Sequence, residues 1–379
     1  MFLPKAGWRP PEELPDLSSA NIISLDVETS DPHLLTNGPG GVRHDGKLVG
    51  ISVATDTGYC GYFPIAHEGG DNLDSESVLH WARATLGGRQ PKVGANLLYD
   101  LEWLRSAGVQ VNGPLRDIQV AEPLMDEEKE GGFSLNNLSK FYLNKEKDEK
   151  LLVEAAKSFG VSPKGGLWKL PARYVGPYAE ADAQLPLDIW KLQEPKLKKM
   201  GLWDIFLLES RLQNVTLDMR FKGVRIDMDR ADELNDKCLT EEANLINQLR
   251  VDAGTIVEPW SPDSLSKAFD NLGLWYPKTG RGNPSFTADW LNGHSHDFAK
   301  KIAEWRKVNK MRRDFVEGVC LNQSYNGRIH AQFHALRKDA DGTRSGRFSS
   351  SQPNLQQIPA RDPHWGPLIR SLFLPDEGK

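Results

Sequence analysis

Cysteines and long apolar runs are both scarce in this sequence. The three cysteines, Cys60, Cys238 and Cys320, lie far apart, show no CxxC spacing and are odd in number. They offer no zinc site and favour buried thiols in a reducing compartment. The start, MFLPKAGWRPPEELPDLSS, has no apolar core of signal-peptide length, and no later run approaches the ~18 apolar residues of a membrane span. We therefore expect a cytoplasmic protein with no membrane partner.

An excess of positive charge is also lacking. The chain has 47 Lys+Arg against 52 Asp+Glu, a formal net charge of -5, which excludes a uniformly basic nucleic-acid-binding protein but allows local basic faces. Hydrophobic residues make up 39% and charged residues 26%, as in ordinary globular proteins. No internal repeat or low-complexity tract is present. At ~100 to 200 residues per domain, the 379 residues predict two or three domains.

Strand-like and helix-like segments alternate up to about residue 195. Short β-rich runs such as NIISLDVET and GYCGYFPI are followed by helical patterns such as LLYDLEWLRSAG. This alternation predicts an α/β domain with a mixed sheet and flanking helices. KLQEPKLKKMG is the predicted linker, after which long helices dominate, and GRIHAQFHALRKD opens a further β-rich unit.

Two carboxylates follow the apolar strand IISL. Alternation along a strand places Asp26 and Glu28 on the same face, where they repel each other unless a cation lies between them. Mg²⁺ or Mn²⁺ is the natural counter-ion for such a pair. A solvated loop acid is the alternative for each residue taken alone.

Two later segments supply further acids. NLLYDLEWL places Asp100 at the start of a helix, where a dipole-stabilised acid is the simplest interpretation. In YAEADAQLPLDIW, Tyr178 and Asp182 are four residues apart and project from one helix face, as an ordinary surface pair also would. Pro186 should bend or restart that helix. The nearby acids that we expect to be solvated are Glu102, Glu180 and Asp188.

The three segments together, in this order, resemble the DEDD exonuclease family in its tyrosine-bearing form, which has a ribonuclease H-like fold. The resemblance implies phosphodiester hydrolysis with two Mg²⁺ or Mn²⁺ ions. Asp26, Glu28 and Asp182 would hold the metal that activates water, and Asp26 with Asp100 the metal at the leaving 3′ oxygen. Tyr178 would position the water, and Asn96 would support the second motif or the substrate strand.

A strongly basic segment occurs further along the chain. Between Lys300 and Asp314 there are seven basic and two acidic residues on a predicted helix. Contact with a DNA backbone is one interpretation, since Lys and Arg neutralise phosphates regardless of sequence. A solvated helix face is the other.

The segment SGRFSSSQPNLQQIP closely resembles the TGRxSSxxPNLQNIP signature of family A DNA polymerases, the DNA polymerase I-like group. FKGVRID, EWRKVNKMRRDF and GRIHAQFH also resemble that family's thumb and early palm, in the expected order. Gln357 and Ser345 replace the usual Asn and Thr and keep polar character. The candidate DNA-binding residues, besides Asn96, are Lys307, Lys310, Arg312, Arg313, Arg344, Arg347, Ser349, Ser350, Asn354, Gln356 and Gln357.

The resemblance implies an exonuclease domain over 1–198, a mainly helical thumb over 199–323 and the start of a palm over 324–379. The family's DYSxxE segment, fingers lysine and HDE-like turn do not occur in this sequence. We therefore expect no DNA synthesis by this chain alone and a second polypeptide carrying palm and fingers, in a bacterial or phage-infected cell. An interrupted gene or a fragment is the alternative.

Three functions fit these observations. The first is the proofreading 3′-5′ exonuclease half of a split family A polymerase, acting on single-stranded 3′ ends and primer-template DNA. The second is a free-standing exoribonuclease with the same acids, which leaves SSSQPNLQQIP unexplained. The third is a DNA-holding subunit with a vestigial site, against which the intact acid set argues.

Overall fold

The structure is a computed structural model that describes residues 3–335, 342–343 and 346–378. It divides into two compact units. The first comprises Met1–Lys222 and His330–Gln356, and the second comprises Gly223–Ile329 and Gln357–Lys379. The candidate residues Arg344 and Ser345 lie outside the described residues.

A five-stranded mixed sheet forms the centre of the first unit. Its strands are β1 (Ile23–Ser30), β2 (Lys47–Thr55), β3 (Cys60–Pro64), β4 (Lys92–Gly94) and β5 (Leu115–Asp117). They lie in the order β3-β2-β1-β4-β5, with β1, β2 and β3 antiparallel and β4 and β5 parallel to β1. The predicted α/β class and ribonuclease H-like mixed sheet are confirmed.

Eight helices accompany this sheet in the described part of the first unit. They are α1 (Leu34–Asn37), α2 (Ser75–Leu86), α3 (Leu97–Ser106), α4 (Ile118–Met125), α5 (Leu135–Leu143), α6 (Lys150–Phe159), α7 (Ala172–Lys199) and α8 (Trp203–Lys222). Leu25 and Val27 of β1 pack into an apolar core with Leu101 and Leu104 of α3. Because strand side chains alternate, Asp26 and Glu28 point to the opposite face of the sheet, where α7 packs.

Helix α7 runs without interruption through three prolines, Pro177, Pro186 and Pro195. The prediction that Pro186 restarts the helix is therefore wrong. Buried Ala183 and Leu187 fix this part of α7 in the core, and such packing offsets the hydrogen bond that a proline removes. The predicted linker over 191–201 is also wrong, because α7 continues to Lys199 and buries Leu197.

The second unit is mainly helical, as predicted for the region after the exonuclease domain. Its helices are α9 (Met228–Ala253), α10 (Pro262–Asn271), α11 (Ala288–Gly293), α12 (Asp297–Met311) and α13 (Trp365–Arg370), and α12 continues with wider π-type turns over Arg312–Leu321. A small sheet joins β6 (Val224–Ile226), β7 (Ser324–Tyr325), β8 (Arg328–Ile329) and β11 (Phe373–Leu374) in the order β11-β6-β8-β7.

The hairpin of β9 (Gln332–His334) and β10 (Ser349–Ser351) belongs to the first unit. Helix α8 also belongs there and packs on α3, α4 and β5. The compact units therefore divide the chain differently from the predicted boundaries at 198 and 323. The buried Arg220 of α8 explains part of the difference, since it donates to the carbonyls of Pro39 and His330, each at 2.6 Å.

Among the helices of the described residues, none combines the length and the apolar composition needed to cross a bilayer.

Candidate metal centre

Three predicted carboxylates meet between β1 and α7. Oxygen atoms of Asp26, Glu28 and Asp182 all lie within 4.8 Å of one another. Asp26 and Glu28 are two positions apart on β1 and share a face, while Asp182 projects from the buried side of α7. The structure thus brings together residues that are more than 150 positions apart in the sequence.

Asp100 belongs to the same cluster. It lies in the first turn of α3, is 3% exposed, and accepts a hydrogen bond from the backbone N–H of Val27 at 2.9 Å. Val27 separates Asp26 from Glu28 on β1, so this bond holds Asp100 beside both. The side chain serves a tertiary contact and is not a solvated acid at a helix start.

The site concentrates negative charge away from water. Burial, followed by the negative charges of Asp100, Asp182 and Glu28, raises the pKa of Asp26 well above its usual value. Burial and the charge of Asp182 do the same to the pKa of Glu28. The Oε1 atom of Glu28 is buried and accepts no hydrogen bond. Clustered oxygen ligands with unbalanced charge and an unsatisfied carboxylate oxygen fit a hard divalent cation such as Mg²⁺ or Mn²⁺.

Tyr178 lies one turn before Asp182 on the same helix, α7. Burial and the charges of Glu28 and Asp182 raise the pKa of Tyr178 far above its usual value. The raised pKa favours the protonated phenol, whose hydroxyl can donate a hydrogen bond.

Lys147 is a member of the cluster that the sequence did not reveal. Its ammonium forms an ion pair with Asp182, with both side chains less than a tenth exposed. It also lies over the ring of Tyr178, 4.4 Å from the centroid. Lys147 comes from the segment between α5 and α6, in the run NKEKDEK, where no periodicity distinguishes one lysine from its neighbours.

A cavity of about 440 Å³ lies in the first unit, partly walled by the helix that carries Asp100. Its polar lining includes Asn96, which precedes α3 with a left-handed backbone at φ 64. The other lining side chains come from α1, α3, α4, α8, β9 and neighbouring loops, and include Leu34, Tyr99, Gln119, Arg220, Gln332, Phe333, His334 and Gln352.

The acids expected to be solvated are instead hydrogen-bonded. Glu102 is 2% exposed and accepts from Arg220 Nε at 2.5 Å. The half-buried Glu180 accepts from the indole N–H of Trp8 at 2.8 Å. Asp188 accepts from Gln184 at 3.0 Å. For Glu102 the expectation of solvation was wrong, because its partner Arg220 is far away in the sequence. Glu180 and Asp188 are partly exposed.

Several basic side chains of α12 and its continuation form ion pairs with acids of the second unit. Among the candidate DNA-binding residues, Lys307 pairs with Asp362 at 2.7 Å, Lys310 with Asp314 at 3.0 Å, and Arg312 with Glu242 at 2.6 Å. Arg313 is exposed. The sequence therefore overstates the charge that this face offers to a ligand.

The segment over 346–357 holds the remaining described candidates. Arg347, Gln356 and Gln357 are exposed, whereas Ser350 is buried and donates to the carbonyl of Pro353 at 3.2 Å. Of the other two, Ser349 accepts a hydrogen bond from the backbone N–H of Gly342, and Asn354 accepts one from the backbone N–H of Gln356. Their part in DNA binding stays a prediction.

Fold and site together define a class of nuclease. A mixed sheet carries two acids on its central strand, and the third and fourth acids and the tyrosine come from α3 and α7. Residues 13–198 match the family described as 3'-5' exonuclease, and residues 228–379 match DNA polymerase family A. The chain belongs to the family A DNA polymerases and contains a 3′-5′ exonuclease domain, which confirms both resemblances.

Similar proteins agree with this assignment. The chain is 38% identical over 395 residues to a DNA-directed DNA polymerase of Pseudomonas phage M6, covering 99% of this chain and 58% of the relative. It is 29% identical to the DNA polymerase DpoZ of Salmonella phage PMBT28, covering 96% and 60%. The chain thus spans less than two thirds of the length of these relatives.

A solved structure shares the fold. The POL domain of Pol1 from M. smegmatis, in complex with DNA primer-template and dNTP, matches with a TM-score of 0.66 at 19% identity. The match covers 94% of this chain and 55% of that one. At this identity the likeness concerns the fold alone.

Proposed function

We propose that the first unit removes nucleotides from the 3′ end of DNA by phosphodiester hydrolysis and releases nucleoside monophosphates. The observation that carries the proposal is the convergence of Asp26, Glu28 and Asp182 within 4.8 Å, with Asp100 held beside them. Membership of a DNA polymerase family favours DNA over RNA as the substrate.

Two divalent cations, Mg²⁺ or Mn²⁺, fit this acid set. When bound, they supply a Lewis acid at the phosphate and a water of lowered pKa. In the proposal Asp26, Glu28 and Asp182 hold one of the two ions. Asp26 and Asp100 hold the other. The buried, unsatisfied Oε1 of Glu28 supports its part as a ligand.

Tyr178 is proposed to orient the attacking water. Its raised pKa keeps the hydroxyl proton in place, so the phenol can donate a hydrogen bond without ionising. Lys147 compensates one negative charge of the cluster through Asp182. The proton lost by the attacking water would pass to solvent.

The cavity beside α3 is a candidate route for the single-stranded 3′ end. Tyr99 lies on its wall and on the helix of Asp100, and Asn96, also on the wall, directly precedes that helix. Aromatic and amide side chains suit an unpaired base, through stacking and hydrogen bonds respectively. A mispaired end is already partly unpaired and costs less to extrude, which suits proofreading.

DNA synthesis is a proposal for the complete polymerase. The prediction that a second polypeptide supplies palm and fingers stays a prediction. Co-expression of this chain with a polypeptide that starts at the family's DYSxxE segment tests it. The expected result is co-purification of the two polypeptides together with primer extension. The absence of both the complex and the extension would refute the prediction.

The exonuclease is tested with a primer-template bearing a mispaired 3′ end, Mg²⁺ and all four nucleotides, with products resolved by length. We expect the wild type to shorten the primer and Asp26→Ala to leave it intact. Asp188→Asn, which changes an acid of α7 outside the cluster, is the matched control and should behave as the wild type. An intact primer with the wild type would count against the proposal. A single-stranded RNA of the same sequence, degraded faster than the DNA, would favour the exoribonuclease.

A further inference from the structure

Tyr62 lies on the face of the sheet that carries the metal-binding acids. On paired strands, directly opposed residues point to the same side. Asp26 of β1 opposes Ser52 of β2, and Ser52 opposes Tyr62 of β3. The three side chains therefore share one face, under α7, where Tyr62 is fully buried against Ala172 and Ala179.

Gly50 allows the Tyr62 hydroxyl to approach Glu28. Gly50 opposes Glu28 in the β1–β2 pairing. A Cβ at Gly50 would lie only 2.3 Å from the Tyr62 hydroxyl oxygen, so the phenol occupies the space that any side chain there would fill. The hydroxyl consequently stands beside the strand position of Glu28, whose Oε1 is buried and unsatisfied.

His67 determines where the Tyr62 proton points. The Nδ1 atom of His67 is 2.9 Å from the carbonyl oxygen of Leu170, and a carbonyl can only accept, so Nδ1 carries the hydrogen. Nε2 of the neutral ring is then a bare acceptor, and it lies 2.7 Å from the Tyr62 hydroxyl. The single O–H of Tyr62 is therefore donated to His67. Burial lowers the pKa of His67 to about 4, which keeps the ring neutral at working pH.

We infer that His67 is a positioning residue for the metal site and that it acts through the hydroxyl of Tyr62. By accepting the Tyr62 proton, His67 prevents the phenol from donating to Glu28 and leaves that carboxylate available to a cation. This inference rests on the proposed metal-dependent function. It adds one residue, His67, that touches neither metal nor substrate and affects Glu28 only through Tyr62.

Manganese binding, measured by electron paramagnetic resonance on the whole chain, tests the inference without requiring activity. His67→Phe removes the acceptor and frees the Tyr62 hydroxyl to bond with Glu28, so the Mn²⁺ dissociation constant should rise about 10-fold, in the range of lost outer-shell partners. In the double variant with Tyr62→Phe the hydroxyl is gone, and the wild-type affinity should return. His67→Gln can accept from Tyr62 through its amide oxygen and should keep the affinity.

Tyr62→Phe alone provides a test that does not depend on the folding of the His67 variants. It should change the Mn²⁺ affinity by less than about 2-fold, because the hydroxyl makes no bond to Glu28 in the wild type. A larger change overturns the inference, as does a His67→Phe protein that folds and binds Mn²⁺ like the wild type.

Failure of the proposed function would look different. Wild type and Asp26→Ala would then bind Mn²⁺ equally weakly, and this inference would fall with the metal site. If instead the wild type binds and Asp26→Ala does not, the metal site stands and the His67 variants alone decide the inference.

Discussion

The ammonium of Lys147 is held between the carboxylate of Asp182 and the ring of Tyr178. It is the cation of the acid cluster in the described part of the chain. Its ion pair is almost fully buried, so solvent screens it little. The lysine compensates part of the negative charge of the four acids and would share Asp182 with a bound metal.

Lys147→Gln should therefore destabilise the metal-free protein. Removing one partner of a buried ion pair leaves Asp182 uncompensated, and we expect a loss of about 3 kcal/mol in the free energy of unfolding. Mn²⁺ should recover more stability in the variant than in the wild type, because it binds the folded state and replaces the lost charge. Chemical unfolding with EDTA and with MnCl₂ measures both effects. Lys145→Gln, an exposed lysine of the same segment, is the control. An equal loss under both conditions would contradict the expectation.

Tyr178→Phe should slow hydrolysis and leave DNA binding unchanged. The ring that packs under Lys147 is kept and only the hydroxyl is lost, so the expected fall in single-turnover rate is about 10- to 100-fold. Because the phenol does not ionise, the ratio of wild-type to variant rates should stay constant between pH 7 and 9. A ratio that changes tenfold per pH unit would show that Tyr178 acts as a base. Tyr174→Phe, one turn earlier on α7, is the matched control.

His67 should make the protein less stable in mild acid. Burial holds its pKa at about 4 in the folded state, against about 6.5 when unfolded. Below pH 6.5 the imidazole binds a proton in the unfolded chain but not in the folded one. The contribution of His67 to the free energy of unfolding is therefore complete above pH 6.5 and is lost as the pH falls towards 4. By pH 5 the loss amounts to about 2 kcal/mol.

The His67 contribution is isolated by comparison with His67→Gln, which cannot titrate. The difference in unfolding free energy between the wild type and His67→Gln should decrease by about 2 kcal/mol from pH 7.5 to pH 5. His80→Gln, at an exposed position, should show no such change. A difference that is independent of pH would contradict the assignment of a neutral, buried imidazole.

Arg220→Gln should be among the most destabilising substitutions on α8. The guanidinium binds Glu102 and the carbonyls of Pro39 and His330, and the residue is 5% exposed. Its loss leaves a buried carboxylate unpaired, at a cost of about 3 to 5 kcal/mol. The loss in the free energy of unfolding should become smaller at acidic pH, because Glu102 can then be protonated. Unfolding curves of Arg220→Gln and of the exposed control Arg211→Gln measure the effect. Similar losses in both would contradict it.

The acids of the cluster could be predicted from the sequence because they occur in three short motifs that follow one another in a recognisable order. Asp26 and Glu28 follow an apolar strand, and Tyr178 and Asp182 lie one helical turn apart, so local periodicity already gives their shared faces. Which acids meet in space is a tertiary property, and there the resemblance to a known family carried the prediction. The roles of these residues stay proposals.

Other residues could not be found in this way. Lys147 lies between two helices, where no period distinguishes it from Lys145. Arg220 looks like any charged residue of a long helix, and only the fold reveals its buried partners. Pro186 misled because local propensity suggests a break, whereas packing of Ala183 and Leu187 keeps the helix intact. In this part of α7 the tertiary packing, and not the local helix propensity, determines that the helix continues.

The first unit is assembled from two stretches of chain that the whole of 223–329 separates. During synthesis, the ribosome releases the acid-bearing sheet long before it releases His330, whose carbonyl completes the hydrogen bonds of Arg220. For the time needed to make about a hundred residues, at ~5 to 20 residues per second, the nascent chain carries Arg220 without that partner.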